Sequence, residues 1–345
     1  MQSEIASTDR SARLIEKAAE NVRTIVAIAL EHTSLNRTLV IYDDENELTR
    51  IITTAYRIVI PDAHFVNFNV HTKEEIIALF DALLSRDLVV LIQSTDFRLN
   101  EFRIRIQLFQ RNLKVIDHLH LYRNTPDQWE TYINALAYDP LWYRGTGHAL
   151  KAVLEGAKTL RVIGNGTELT VTGGLEVPKL NIGDYTGMQN IGGTFPIGEV
   201  FTEAKDLSKM NGSLMVYAFA DADYQTSMYE PFRIEIENGI VISWDKSAPE
   251  SFGNIVAQVL TNERAIIREI GFGLNRAITR EYYLNDITAF ERILGLHFSL
   301  GEKHTVYKKQ GITADKTRFH VDLFPEVAQV YADDVLIFEN STFLI

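Results

Sequence analysis

Thr38-Leu39-Val40-Ile41-Tyr42 is the first of four short apolar runs that decide the fold of the first half of the chain. Phe65-Val66-Asn67-Phe68-Asn69-Val70, Leu88-Val89-Val90-Leu91-Ile92 and Val115-Ile116-Asp117-His118-Leu119-His120-Leu121 follow it, each succeeded by a helical pattern. Runs of this length are strands, and strands joined through helices pair in parallel, in a sheet covered on both faces. Ahead of them, Ser7-Thr8-Asp9 reads as the cap of a long amphipathic helix that carries Ala12, Leu14, Ile15, Ala18, Val22, Ile25 and Ile28 at helical spacing. Asp43-Asp44 and Ser94-Thr95-Asp96 stand at strand ends, where such sheets bind ligands, but each is read first as the cap of a following helix. No Gly-x-Gly-x-x-Gly or Walker-type loop is present, so nucleotide binding has no support.

The pattern changes after a helix expected over 143–157. Leu160-Arg161-Val162-Ile163, Gly164-Asn165-Gly166 and Glu168-Leu169-Thr170-Val171 are short β segments with glycine turns. Phe232 to Ile236 turns at Asn238-Gly239 into Ile240 to Trp244, and Asn-Gly between alternating runs is a strong hairpin signal. A helix over 249–262 interrupts, and β segments return around Ile266, Phe298 and Val330. The expected fold class is α/β: an open, mainly parallel N-terminal sheet domain (1–155) followed by an α+β metal-binding domain (156–345).

The chain has 345 residues, 46% of them hydrophobic and 23% charged, enough for two cores. No apolar run approaches the roughly 18 to 20 residues that span a bilayer, and no signal-peptide pattern opens the chain, so no membrane partner is expected. A net charge of -12 argues against nucleic acid as a partner, since a phosphate backbone calls for a basic stripe. Arg98, Arg103, Arg105 and Arg111, set among Phe97, Phe102, Ile104, Leu108 and Phe109, read as the solvated face of a helix. The absence of cysteine removes thiolate metal sites and cysteine nucleophiles, and fits an expected cytoplasmic setting. Any metal must be held by oxygen and imidazole.

Such side chains occur in order along the second half. Glu199 lies in Phe195-Pro196-Ile197-Gly198-Glu199-Val200-Phe201-Thr202, Glu269 in Glu269-Ile270-Gly271-Phe272-Gly273-Leu274-Asn275, and His297 in Gly295-Leu296-His297-Phe298-Ser299-Leu300-Gly301. His320 and Asp322 share Phe319-His320-Val321-Asp322-Leu323. Residues two apart on a strand point to one face, so His320 and Asp322 can approach a cation together. Each residue has an ordinary reading as well: Glu199 an exposed turn acid, Glu269 a charge on the solvent face of a strand, His297 a satisfied core histidine. Glu291, upstream of His297, is the candidate general base, and its ordinary reading is a helix-surface acid paired with Arg292 or Arg280.

At all five positions these strings resemble the thermophilic metalloaminopeptidase family, the group of aminopeptidases T and S. The likeness covers about residues 180 to 335, and Asn190-Ile191-Gly192-Gly193-Thr194-Phe195-Pro196 looks like the family's ligand loop. The resemblance implies that Glu199, Glu269, His297, His320 and Asp322 bind two divalent ions, with one carboxylate bridging; zinc, cobalt and manganese suit such ligands, and iron is admissible. It also implies a homodimer and a short peptide or related amide as substrate. His304 stands where the family's aminopeptidases carry a tyrosine that stabilises the tetrahedral intermediate; an imidazole N–H can serve an oxyanion, and Tyr307 is nearby. The expected function is that of an aminopeptidase-like metallohydrolase. The alternatives are a ring-opening enzyme resembling 2,5-dihydroxypyridine dioxygenases, which carry a histidine where this chain has Glu269, and a non-catalytic peptide- or metabolite-binding protein.

Overall fold

The parallel sheet follows from the four apolar runs and gains a strand from far along the chain. The structure, a computed structural model, describes residues 2–99, 104–304, 306–313 and 315–345, with side chains from residue 9 onward. Two compact units emerge, Met1–Pro140 with Gly183–Ile197 and Arg280–Ala289, and Leu141–Ile182 with Gly198–Thr279 and Phe290–Ile345. The expected boundary at 155/156 falls at the end of helix Pro140–Gly156, most of which belongs to the second unit.

In the first unit, strands β1 (Thr38–Tyr42), β2 (His64–Asn67), β3 (Leu88–Ile92) and β4 (Lys114–His118) pair only in parallel, in the order β2-β1-β3-β4. A fifth strand, Ile191–Thr194 (β8 in chain order), adds in parallel beside β4. The segment expected as a ligand loop is therefore largely a sheet strand. β3 and β4 are buried at every position, the mark of a sheet covered on both faces. Leu39, Ile41, Val89, Leu91 and Val115 pack with Ile76 and Phe80 of helix Lys73–Asp81 and with Ile104 and Leu108 of helix Ile104–Gln110.

Several expectations give way to local hydrogen bonding. The first helix runs from Gln2 to Thr24, ahead of the expected Ser7-Thr8-Asp9 cap. The run expected as a strand to Val70 ends at Asn67, whose side chain accepts from Asn69 N and starts a 3-10 turn. β4 ends at His118, and His120 lies in the left-handed region at φ 51°. Asp43 is no helix cap: Asn46 caps helix Glu47–Val59, while Asp43 accepts from Ser94 N and ties the ends of β1 and β3. Asp96 pairs with His120 and Arg98 rather than capping a helix. Of the basic run, Arg105 reaches Thr194 and Asp117, and Arg111 bonds Asp81; Phe102 and Arg103 lie outside the described residues.

The second unit is built on an antiparallel sheet. Its strands are β5 (Thr159–Ile163), β6 (Glu168–Thr172), β7 (Lys179–Asn181), β9 (Glu199–Glu203), β10 (Met210–Ala220), β11 (Thr226–Glu237), β12 (Ile240–Trp244), β13 (Ile267–Gly273), β14 (Gly295–Leu300), β15 (Val321–Pro325), β16 (Gln329–Ala332), β17 (Val335–Glu339) and β18 (Thr342–Phe343). Their order is β18-β17-β16-β5-β6-β10-β15-β14-β13-β9-β7, with β11 also on β10 and β12 on β11. The Asn238-Gly239 turn joins β11 to β12 with both residues at positive φ, 52° and 77°, as the two-residue hairpin requires. Helix Glu250–Leu260 packs Phe252 on Phe219 and Phe232, giving this sheet one apolar face.

Candidate metal centre

The four strands β9, β13, β14 and β15 stand side by side, and their register decides which side chains meet. Glu269 pairs with Glu203 and Ser299, Gly271 with Phe201 and His297, Gly273 with Glu199, and Ser299 with Asp322. Directly paired residues share a face, so Glu199, Glu203, Glu269, His297, Ser299 and Asp322 project from one side. Val200, Ile270, Phe272, Phe298, Leu300 and Leu323 fill the other side as core. Glu199 is thus a buried strand residue rather than an exposed turn acid, and Glu269 faces the polar cluster rather than solvent.

The five expected ligands converge. Glu199, Glu269 and His297 form one group whose ligand atoms lie within 4.8 Å of one another; Glu269, His320 and Asp322 form a second, and Glu291, His297 and Asp322 a third. His297 is fully buried, with Nε2 3.4 Å from Glu199 Oε1 and 3.5 Å from Glu269 Oε1. His320 Nε2 lies 3.3 Å from Asp322 Oδ1 and 4.0 Å from Glu269 Oε1.

These separations fit a divalent cation. Four ligands at zinc-like distances around a tetrahedral ion stand about 3.3–3.4 Å apart, wider than a good hydrogen bond. Neither ring nitrogen of His297 makes a hydrogen bond despite complete burial, an omission that is costly unless another partner is supplied. Gly271 makes room for the ring: a Cβ there would fall on His297, 2.8 Å from Nδ1 and nearer still to Cε1 and Nε2.

A surrounding set of polar groups fixes the cluster, and several were not foreseen. Arg292 donates to Glu199 Oε2 at 2.5 Å and reaches Glu291 at 2.7 Å, so Glu291 has its arginine partner but is drawn into the site. Ser299 donates to Asp322 Oδ1 at 2.6 Å. His304 contacts Glu269 Oε2 through Nε2 at 2.8 Å and Glu203 Oε1 through Nδ1 at 2.9 Å, leaving no ring nitrogen directed at a reacting group. Tyr307 stacks on His304 and gives its hydroxyl proton to Val177 O, so its oxygen is engaged elsewhere. Glu203, fully buried, also accepts from Arg268 at 3.0 Å. In sequence, Glu203 and Ser299 were detectable only as residues sharing strand parity with Glu199 and His297.

Burial and charge pull these groups in opposite directions. Burial works against the charged form of His320, but Asp322 and Glu269 prevail and hold its imidazole up at about 10. His297 is likewise held well above its ordinary range, against burial, by Glu199 and Glu269. Burial favours a neutral Glu269, yet His297 and His304 hold it well below the usual carboxylate range. Burial lifts Glu291 to about 8, opposed by Arg292.

No family model matches the chain, and no curated protein matches it. Solved structures share its fold, among them two that cover nearly the whole chain. A 2,5-dihydroxypyridine dioxygenase from Pseudomonas putida KT2440 superposes with a TM-score of 0.62 at 15% identity, covering 97% of each chain. Wild-type AmpT, the aminopeptidase T, from Thermus thermophilus superposes with a TM-score of 0.59 at 12% identity, covering 96% of this chain and 99% of that one. The likeness is one of fold. It spans both units and matches the two groups that the sequence strings resemble. Among the described residues no helix is long and apolar enough to cross a membrane.

Proposed function

We propose that the protein is a metal-dependent hydrolase of aminopeptidase type that cleaves an amide bond in a short peptide or a related small molecule at a dinuclear centre. One observation supports this reading above the others: each of the three candidate groups offers two carboxylates and one imidazole. A non-haem iron oxygenase centre is usually built from two histidines and one carboxylate, and no candidate group among the described residues has that composition. Oxygen-rich, anionic sets suit paired Lewis-acid cations.

Glu199, Glu269 and His297 would hold one cation, and Glu269, His320 and Asp322 the other. Bound divalent cations supply Lewis acidity and bring the pKa of water toward neutrality. Glu291, lifted toward neutrality and within reach of the same space, takes and returns the proton. Arg292 holds Glu199 and Glu291 in place, and Ser299 orients Asp322. The His304 contacts support a role in holding Glu269 rather than the oxyanion role expected from its position. A cytoplasmic setting, supported by the cysteine-free sequence, and a homodimer, supported by the resemblance, belong to the same proposal.

The test is a screen of dipeptides, other amides and hydroxylated heteroaromatics with the apo chain and the chain reconstituted with zinc, cobalt, manganese or iron. Metal-dependent amide hydrolysis is expected, and Glu199→Ala or His320→Ala should abolish it with the circular dichroism spectrum retained. Turnover of the heteroaromatics alone, or full activity in either variant, rejects the proposal. A purified protein that takes up no divalent metal points instead to a binding module.

A further inference from the structure

We infer that His304 is a positioning residue that ties down one oxygen of Glu269, so that Glu269 meets divalent cations through Oε1 alone and the two cation positions are unequal. The inference rests on the metal-centre reading above and deepens it. Glu269 is the residue common to the first two candidate groups. Its Oε1 faces His297 at 3.5 Å and His320 at 4.0 Å and has only a long contact from Ser299 Oγ at 3.4 Å, whereas Oε2 turns away and accepts from His304 Nε2 at 2.8 Å.

The tie is rigid. His304 is held from behind by Glu203, 2.9 Å from Nδ1, and Glu203 is in turn anchored by Arg268. The ring lies nearly parallel to Tyr307, 8° between planes, and meets Phe201 edge-on. Against the Glu269 carboxylate Nε2 donates, because a carboxylate only accepts, while Nδ1 stands at ion-pair distance from Glu203. A cation seeking Oε2 must displace a buried charge-assisted hydrogen bond.

A shared carboxylate that bridges through both oxygens gives each cation an oxygen of its own. Here both positions draw on Oε1. At the position lined by Glu199 and His297 the histidine is fully buried and stands nearer Glu269 Oε1, at 3.5 Å. At the position lined by His320 and Asp322 those two approach to 3.3 Å, but the histidine stands 4.0 Å from Glu269 Oε1 and its side chain is 28% exposed. The first therefore fills before the second.

The full-length chain, stripped with a chelator, is titrated with Co2+ and with Zn2+ by calorimetry, with bound metal counted by elemental analysis and the Co2+ visible spectrum followed throughout. Wild type should bind one equivalent first and a second about 10- to 100-fold more weakly, the range that contacts to a ligand's far side command. In His304→Phe, which keeps an aromatic ring beside Tyr307 and frees Glu269 Oε2, the gap between the two binding steps should narrow and the two spectral steps should merge. His304→Leu serves the same purpose if the phenyl variant does not fold. Glu203→Gln, which leaves the Nε2 contact to Glu269, should keep the two steps apart. Two equivalents of equal affinity in wild type, an unaltered or widened gap in the apolar variants, or a closed gap in Glu203→Gln overturns the inference and leaves the hydrolase reading standing. Failure of wild type to bind either cation overturns both.

Discussion

Gly271→Ala is the smallest change that should empty the centre without touching a ligand. Gly271 stands directly opposite His297 across β13 and β14, and an added Cβ would lie 2.8 Å from Nδ1 and closer to Cε1 and Nε2. Contacts that short do not persist, so the ring or the strand must shift by about 1 Å; such a displacement at a reacting centre is worth roughly 100-fold in rate. The imidazole has little freedom to yield, since it is fully buried and backed by Phe324 at 5.7 Å between centroids. Overpacking a filled interior costs about 1–3 kcal/mol, small enough for the fold to survive. The assay pairs thermal denaturation in chelator with metal content after reconstitution. The expected result is a folded variant with a modestly lower midpoint, little bound metal at the Glu199, Glu269 and His297 position, and turnover reduced about 100-fold or more. Wild-type metal content together with wild-type turnover would refute the argument that Gly271 is needed to admit His297.

Arg292→Met leaves the buried Glu199 and the partly buried Glu291 without their shared cation, and removing one partner of the buried Arg292–Glu199 pair costs about 3–5 kcal/mol. The loss should be larger in chelator than with bound metal, since a cation replaces the missing charge; equal losses in denaturant melts would contradict that. Metal removal alone should destabilise the wild-type chain by about 2.7 kcal/mol relative to metal at 100 times its Kd, and a midpoint insensitive to chelator would count against a resident ion. In the first unit, burial pushes His118 down to about 3. Tyr132 donates to Phe195 O, so it accepts from His118 Nδ1, and Tyr56 donates to Nε2: the ring is neutral when folded. Its contribution is complete above the unfolded value of about 6.5 and falls as pH drops from there toward 3, by about 1.4 kcal/mol per pH unit. Melts of His118→Asn should show a shallower acid slope by about one proton, and an identical slope would dismiss the argument.

The legibility of the fold varied with how local its causes were. β1 and β3 were readable to the residue because both are uninterrupted apolar runs of strand length. The Asn238-Gly239 hairpin was readable because its backbone geometry is a property of two adjacent residues. Where a single side chain redirected the backbone, as Asn67 does after β2, hydrophobicity alone extended the strand too far. β8 was hidden for another reason. Ile191-Gly192-Gly193-Thr194 has little strand propensity, and only its pairing with β4, far away in the chain, makes it a strand.

The site shows the same division more sharply. Residue types and order, taken together with the family resemblance, nominated Glu199, Glu269, His297, His320 and Asp322, and the structure brings all five together. What they could not convey was register, and register decides the chemistry. A slip of one residue between β13 and β14 would turn either Glu269 or His297 toward the face that holds Phe272 and Phe298. The same alignment places Glu203 opposite Glu269, which puts His304 between two carboxylates. A substitution that seemed, in sequence, to weaken a catalytic group is in three dimensions tied to the candidate metal cluster, because the strand pairing sets that imidazole between two buried acids.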